Sequence, residues 1–99
     1  MSAETALKYN SYTLNKVEDI FKASEYVIRY ERGNFNSGFC ILEDKKVIVI
    51  NKFYDTEARI NCLLEILNDV LILEDNLDEK ELKFYNQLLS INLENKTKL

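Results

Sequence analysis

The sequence predicts a small α+β domain in which a three-stranded antiparallel meander packs against helices. Apolar residues recur at helical spacing near both ends of the chain, whereas residues 26–51 alternate or run apolar as strands do. The links between the predicted strands are short, and short links favour antiparallel pairing over parallel crossovers. The predicted order of elements is α-β-β-β-α-α.

The length of 99 residues leaves room for one domain. Hydrophobic residues make up 46% of the chain, which suffices for a core without disulfides. Residues 1–12 are polar and mixed and are predicted to form a flexible N-terminal arm. Residues 13–93 form the predicted α+β domain, and residues 94–99 form a frayed tail.

The first predicted helix covers residues 14–24, with Thr13 as its N-cap. Its apolar face consists of Leu14, Val17, Ile20 and Phe21. A strand follows over residues 26–32, because polar and apolar side chains alternate there. Gly33 and Asn34 end this strand, since both residue types tolerate a positive φ.

The second and third strands are predicted over residues 38–43 and 46–51, joined by a turn at 44–45. Residues 47–50 are all apolar. Such a run indicates a strand that is buried on both faces or lies centrally in the sheet.

The main helix is predicted over residues 56–73 and begins at Asp55 or Thr56. The last helix ends near Asn92 and begins at a capping box formed by Asp78 and Glu81. These two helices carry more apolar residues than a three-stranded sheet can cover: Ile66, Leu73, Phe84 and Ile91. Either the final helix folds over the main helix, or a second chain forms a homodimer through these two helices.

Charge and composition exclude several classes of function. The net charge is −4 and basic residues are interspersed with acidic ones, which argues against nucleic-acid binding. We find no signal peptide and no apolar run of about 20 residues, so a cytoplasmic protein without membrane contact is expected. Scarce cysteine fits a reducing compartment, and the sequence leaves open whether Cys40 and Cys62 meet.

Four segments carry a resemblance to other proteins. They are Gly-Asn-Phe at 33–35, Gly-Phe-Cys at 38–40, the apolar strand that ends in Asn-Lys at 47–52, and Glu-Ala-Arg-Ile at 57–60. In this frame the chain resembles a group of small, uncharacterised bacterial proteins. The resemblance implies no activity.

A more distant resemblance rests on Glu65, with Leu64 and Asn68 on either side. Residues 38–68 resemble a zinc peptidase domain of the ImmA/IrrE type, whose helix carries His-Glu-x-x-His. That family implies a general base at Glu65, but this chain contains no histidine, and Glu65 is predicted to lie in solvent opposite the apolar stripe. The sequence therefore predicts no catalytic, cofactor-binding or metal-ligating residue.

The aromatic residues allow two interpretations. They pack in the core and at its edges, or some of them face a partner, since Tyr and Phe anchor many interfaces. The candidate partner-binding residues are Phe35, Tyr30, Phe53, Tyr54 and Phe84, with the loop at Phe35 as the centre. We expect a non-enzymatic protein-interaction or regulatory module. The alternatives are an enzyme of unknown type that uses carboxylate or lysine chemistry, and a pure self-assembly protein.

Overall fold

The computed structural model describes residues 7–35, 38–42 and 45–97, with side chains over 7–35 and 45–92. A single 3₁₀ turn, Glu74–Asn76, lies between the last two helices. The helices and strands are α1 (Ser11–Ala23), β1 (Tyr26–Glu31), β2 (Gly38–Leu42), β3 (Lys45–Asn51), α2 (Thr56–Leu67) and α3 (Glu79–Thr97).

The sheet is mixed, so the predicted antiparallel meander is wrong. Its strand order is β1-β3-β2. Strands β1 and β3 run parallel, with Glu31 opposite Asn51. Strands β2 and β3 run antiparallel, with Leu42 opposite Lys45. The domain remains a mixture of helices and strands.

Link length explains the error. Only two residues separate β2 from β3, and this link does make the two strands antiparallel neighbours. Residues 32–37 separate β1 from β2 and can reach roughly 20 Å. That is enough to pass over one intervening strand, because strands lie about 4.8 Å apart. Strand β3 occupies the central position, one of the two places predicted for its apolar run.

The core lies between the helices and one face of the sheet. Ile48 and Ile50 of β3 are fully buried there, and the rings of Phe21 and Tyr26 meet edge to face at 6.0 Å. The other fully buried apolar side chains come from the helices: Val17, Ile20, Ile60, Leu63 and Leu88.

Helix α1 begins earlier than predicted. The side-chain oxygen of Asn10 accepts a hydrogen bond from the N–H of Thr13 at 2.9 Å. Asn10 is therefore the N-cap, a role for which asparagine is among the best residues. Thr13, the predicted cap, lies within the helix and is buried.

Helix α2 ends at Leu67, six residues before its predicted end. The N–H of Asn68 donates to the carbonyl of Glu65 at 3.1 Å, a tightened contact typical of a last turn. The chain then returns to the junction of α1 and β1, where the N–H of Leu73 donates to Ser24 Oγ at 2.8 Å. This tertiary contact lies outside what local spacing can predict.

Helix α3 begins at the predicted capping box. The N–H of Asp78 donates to Glu81 Oε1 at 3.0 Å, and the N–H of Glu81 donates to Asp78 Oδ1 at 2.7 Å. The helix continues to Thr97, beyond its predicted end. Asn92 Nδ2 donates to the carbonyl of Leu64 at 3.0 Å and so ties α3 to α2.

The apolar surplus of the last helices is covered by the chain itself. Ile66, Phe84 and Ile91 are buried, and Leu73 is half-buried. The final helix therefore folds over the domain, and the observation that predicted a homodimer through the last two helices no longer requires one. None of the helices in the described ranges contains a stretch apolar and long enough to cross a membrane.

Candidate functional site at the ends of two parallel strands

Strands β1 and β3 end side by side. The N–H of Lys52 donates to the carbonyl of Glu31 at 2.8 Å, so the segments that follow β1 and β3 leave the sheet at the same edge. Binding sites commonly lie beyond the carboxyl ends of parallel strands. We call this region the strand-end surface and define it by Tyr30, Arg32, Phe35, Lys52, Phe53, Tyr54 and Arg59.

The side chain of Asn51 joins the two loops that leave these strands. Its Nδ2 donates to the carbonyls of Gly33 and Phe35, each at 2.9 Å. Its Oδ1 accepts the N–H of Phe53 at 3.0 Å. Asn51 is only 7% exposed, so these bonds form largely out of water and fix both loops relative to the sheet.

Gly33 sets the path of the first loop. Its φ of +149° is a conformation that side chains disfavour, and a Cβ built there would lie 2.9 Å from Phe35 Cδ1. The Phe35 ring therefore covers Gly33 and is half-buried. Residues 36–37 of that loop lie outside the described ranges, and its role as the centre of a partner-binding surface stays a prediction.

Arg59 of α2 holds the second loop. Its Nε donates to the carbonyl of Tyr54 at 2.9 Å, and its Nη2 donates to the carbonyl of Lys52 at 3.0 Å. These carbonyls belong to the residues just before and after Phe53. The guanidinium also lies 4.6 Å from the centroid of the Tyr30 ring. Arg59 thus fixes the turn that carries Phe53.

The start of α2 positions Arg59. Asp55 is the N-cap, and its Oδ1 accepts the N–H of Ala58 at 2.8 Å. The N–H of Arg59 donates to the carbonyl of Asp55 at 2.9 Å. Asp55, one of the two residues at which the sequence predicted the start of this helix, therefore caps it.

The hydroxyl of Tyr30 donates to the carboxylate of Glu18 on α1. Burial raises the pKa of Tyr30, and the hydrogen bond to Glu18 and its negative charge raise it further. The charge of Arg59 acts in the opposite direction with a smaller effect. Burial also raises the pKa of Tyr26 and Tyr85. Tyr30 is consequently a neutral donor at physiological pH.

Phe53 is the most exposed aromatic side chain of this surface. Its side chain is 72% exposed, whereas Tyr54 is half-buried and packs against the core. Arg32 and Lys52 are exposed beside it in the chain that follows β1 and β3. The surface therefore combines one exposed aromatic ring with positive charge.

Phe84 does not belong to the strand-end surface. It is 7% exposed on α3, and the ammonium of Lys16 lies 4.2 Å from its ring centroid. Both residues line a separate pocket of about 130 Å³ between α1 and α3, together with Tyr12. The structure therefore brings four of the five sequence candidates to one edge: Tyr30, Phe35, Phe53 and Tyr54.

The sequence analysis missed Asn51, Arg59 and Glu18. A signal was present for Asn51, because a polar residue that ends the most apolar strand needs hydrogen-bond partners. In the sequence, Arg59 and Glu18 look like ordinary charged residues on helix surfaces. Only the packing of both helices near β1 shows that they contact Tyr30.

The residues that the peptidase resemblance singled out lie as their spacing predicted. Glu65 is exposed and Leu64 is 4% exposed in the core. Within the described residues, no group of three or more His, Cys, Asp or Glu could hold a metal ion. Cys62 is half-buried on α2, and the side chain of Cys40 lies outside the described ones.

Comparisons with protein families, curated proteins and solved structures find no match to this chain. The two resemblances noted in the sequence stay predictions. Any inference about function therefore rests on the geometry of the strand-end surface.

Proposed function

We propose that this chain is a non-enzymatic protein-interaction module that binds its partner at the strand-end surface. One observation carries the proposal: the side chain of Phe53 is 72% exposed while its backbone is fixed on both sides. Asn51 holds its N–H, and Arg59 holds the two carbonyls that flank it.

A fixed, exposed aromatic residue suits recognition. Interfaces draw most of their binding energy from a few anchors, with aromatic residues and arginine enriched among them. Ordering a loop on binding opposes association. Because the turn at Phe53 is already ordered by side chains from β3 and α2, that cost is small here.

The charges at this surface indicate the chemistry of the partner. Arg32, Lys52 and Arg59 lie beside Phe53, and Arg59 forms no ion pair with a carboxylate among the described residues. Its hydrogen bonds go to neutral carbonyls rather than to a carboxylate. We therefore expect a partner segment that places an apolar side chain on Phe53 and a carboxylate near Arg59.

The alternative of an enzyme has less support. The side chains with resolved pKa shifts in the described residues are three tyrosines, Tyr26, Tyr30 and Tyr85, and each pKa is raised. A tyrosine with a raised pKa stays protonated and is a poor general base near neutral pH. A cytoplasmic setting fits an interaction module with only two cysteines.

A peptide selection tests the proposal. The folded chain selects binders from a random peptide library, and each peptide is titrated by fluorescence anisotropy. We expect enriched peptides to combine an apolar and an acidic residue, and we expect Phe53→Ser to weaken binding about 30-fold, as for an interface anchor. Tyr12→Ser is the control, because Tyr12 is 70% exposed but lies outside this surface. Equal affinities for Phe53→Ser and the unmodified chain would refute the proposal.

A further inference from the structure

Strand β1 lies at an edge of the sheet. It pairs with β3 on one side, and no other described strand lies on its other side. The pairing with β3 is continuous over all six residues of β1, so β1 contains no bulge, and the chain contains no proline. Proline and bulges are common devices that prevent edge strands from pairing with other chains. This edge is regular and carries neither device.

The backbone groups at the open edge can be assigned. The carbonyl of Glu31 accepts the N–H of Lys52, so the backbone groups of Glu31 point toward β3. Successive residues of a strand alternate in direction, and the backbone groups of Ile28 and Tyr30 therefore point away from β3. Within the described ranges, neither residue has a backbone hydrogen-bond partner on that side.

We propose that a second copy of this chain pairs with this edge, β1 against β1, antiparallel and about a two-fold axis at Tyr30. The axis places Tyr30 opposite Tyr30 of the second copy, and Ile28 opposite Arg32. Both are pairs whose backbone groups face each other. Between them, Arg29 of each copy lies opposite Glu31 of the other.

Charge selects this register over its neighbours. Opposed side chains at positions without mutual backbone hydrogen bonds lie closest together, with Cα atoms about 4.5 Å apart. An axis at Tyr30 places Arg29 and Glu31 in these positions twice, as two opposite-charge pairs. An axis at Arg29 places two arginines against each other, and an axis at Ile28 places Arg29 against Val27. Of these three arrangements, only the first pairs Arg29 with Glu31 on both sides of the axis.

The two charged side chains are available for such pairs. Arg29 Nη2 and Glu31 Oε2 lie 3.1 Å apart within one chain, and the side chains are 56% and 46% exposed. Two copies would bring these four charges together with alternating sign on the sheet face opposite the core. The occupant of the edge is thus another copy of this chain, because the strand is complementary to itself.

Charge reversal tests the pairing. Sedimentation equilibrium over a wide range of protein concentration should show a monomer–dimer equilibrium. Arg29→Glu and Glu31→Arg should each raise the dimer dissociation constant about tenfold or more, because like charges then oppose each other twice. The double variant Arg29→Glu/Glu31→Arg should restore dimerisation to within about threefold, because both opposite-charge pairs return.

A mixing experiment separates this register from dimers that form through another surface. An equimolar mixture of Arg29→Glu and Glu31→Arg should dimerise more tightly than either variant does alone, because each charge then meets its opposite across the axis. Lys83→Glu, an exposed charge change on α3, is the control and should leave dimerisation unchanged. A monomer at every concentration, dimerisation that ignores the charge reversals, or a mixture that stays monomeric would each overturn the proposal.

Discussion

The guanidinium of Arg59 lies 4.6 Å from the centroid of the Tyr30 ring, and the hydroxyl of that ring donates to Glu18. This stack joins α2, β1 and α1 at one point. Because Arg59 also holds the carbonyls that flank Phe53, the position of an exposed aromatic residue depends on contacts from three elements.

Removal of Arg59 should destabilise the fold and loosen the turn at Phe53. We expect Arg59→Ala to lower the free energy of unfolding by about 1.5–3 kcal/mol, the range for hydrogen bonds to charged groups. Arg59→Lys should recover less than half of this loss, because an ammonium cannot bond two carbonyls and stack on a ring as a planar guanidinium does. Urea unfolding measures both, with exposed Arg32→Lys as the control. Full recovery by lysine would show that charge alone matters.

Tyr30 should make stability depend on alkaline pH. Folding raises the pKa of Tyr30 above the unfolded value near 10. Its contribution is therefore complete below about pH 10 and is lost as the pH rises through the folded pKa. Tyr30→Phe should cost about 1 kcal/mol at neutral pH, where the bond to Glu18 is lost. The difference from the unmodified chain should shrink as the pH rises, because only the unmodified chain loses this contribution.

Thermal unfolding across the alkaline range checks this prediction. Part of the pH slope should remain in Tyr30→Phe, since the pKa of Tyr26 and of Tyr85 is also raised. Tyr12→Phe is the matched control, because Tyr12 is 70% exposed. A difference between Tyr30→Phe and the unmodified chain that stays constant with pH would contradict the assignment.

Local patterns in the sequence predicted the helices, the strands and the antiparallel pairing of β2 with β3, but not the parallel pairing of β1 with β3. The capping box at Asp78 and the apolar run of β3 depend on near neighbours, and both lie where they were expected. The sheet order depends on a connection that passes over a strand, which spacing alone does not encode. The path of the chain after α2 likewise includes a contact with a distant residue, the hydroxyl of Ser24, which accepts the N–H of Leu73.

The sequence indicated which aromatic residues lie near this edge but not which of them is most exposed. Aromatic residues near strand ends pointed to this edge, and four of the five candidates lie there. The sequence placed the centre at Phe35 because a large apolar side chain among polar turn residues needs cover. The backbone of Gly33 instead lets the Phe35 ring lie over it, and Phe53 is the exposed residue.

Replacement of Asn51 by aspartate, which has the same shape, should destabilise the fold. Asn51→Asp replaces a donor by an acceptor against the carbonyls of Gly33 and Phe35. We expect a loss of about 2–4 kcal/mol at neutral pH, since a buried charge would lie beside two unpaired acceptors. Asn51→Ala should cost less, because it introduces no charge. Urea unfolding compares them, and an aspartate variant as stable as the alanine variant would mean that the loops are not held by Nδ2.

Substitution of two adjacent residues on α2 should change the free energy of unfolding by very different amounts. Leu64 is 4% exposed in the core, and Leu64→Ala should cost about 2–4 kcal/mol through lost burial and the cavity left behind. Glu65 is exposed, and Glu65→Gln should change the free energy of unfolding by less than about 0.5 kcal/mol. Because alanine has a higher helix propensity than leucine, and glutamate and glutamine have similar ones, helix propensity does not explain such a contrast. Urea unfolding of both variants tests the orientation of α2. A near-zero effect at Leu64, or a loss well above 1 kcal/mol at Glu65, would mean that the helix presents another face to the core.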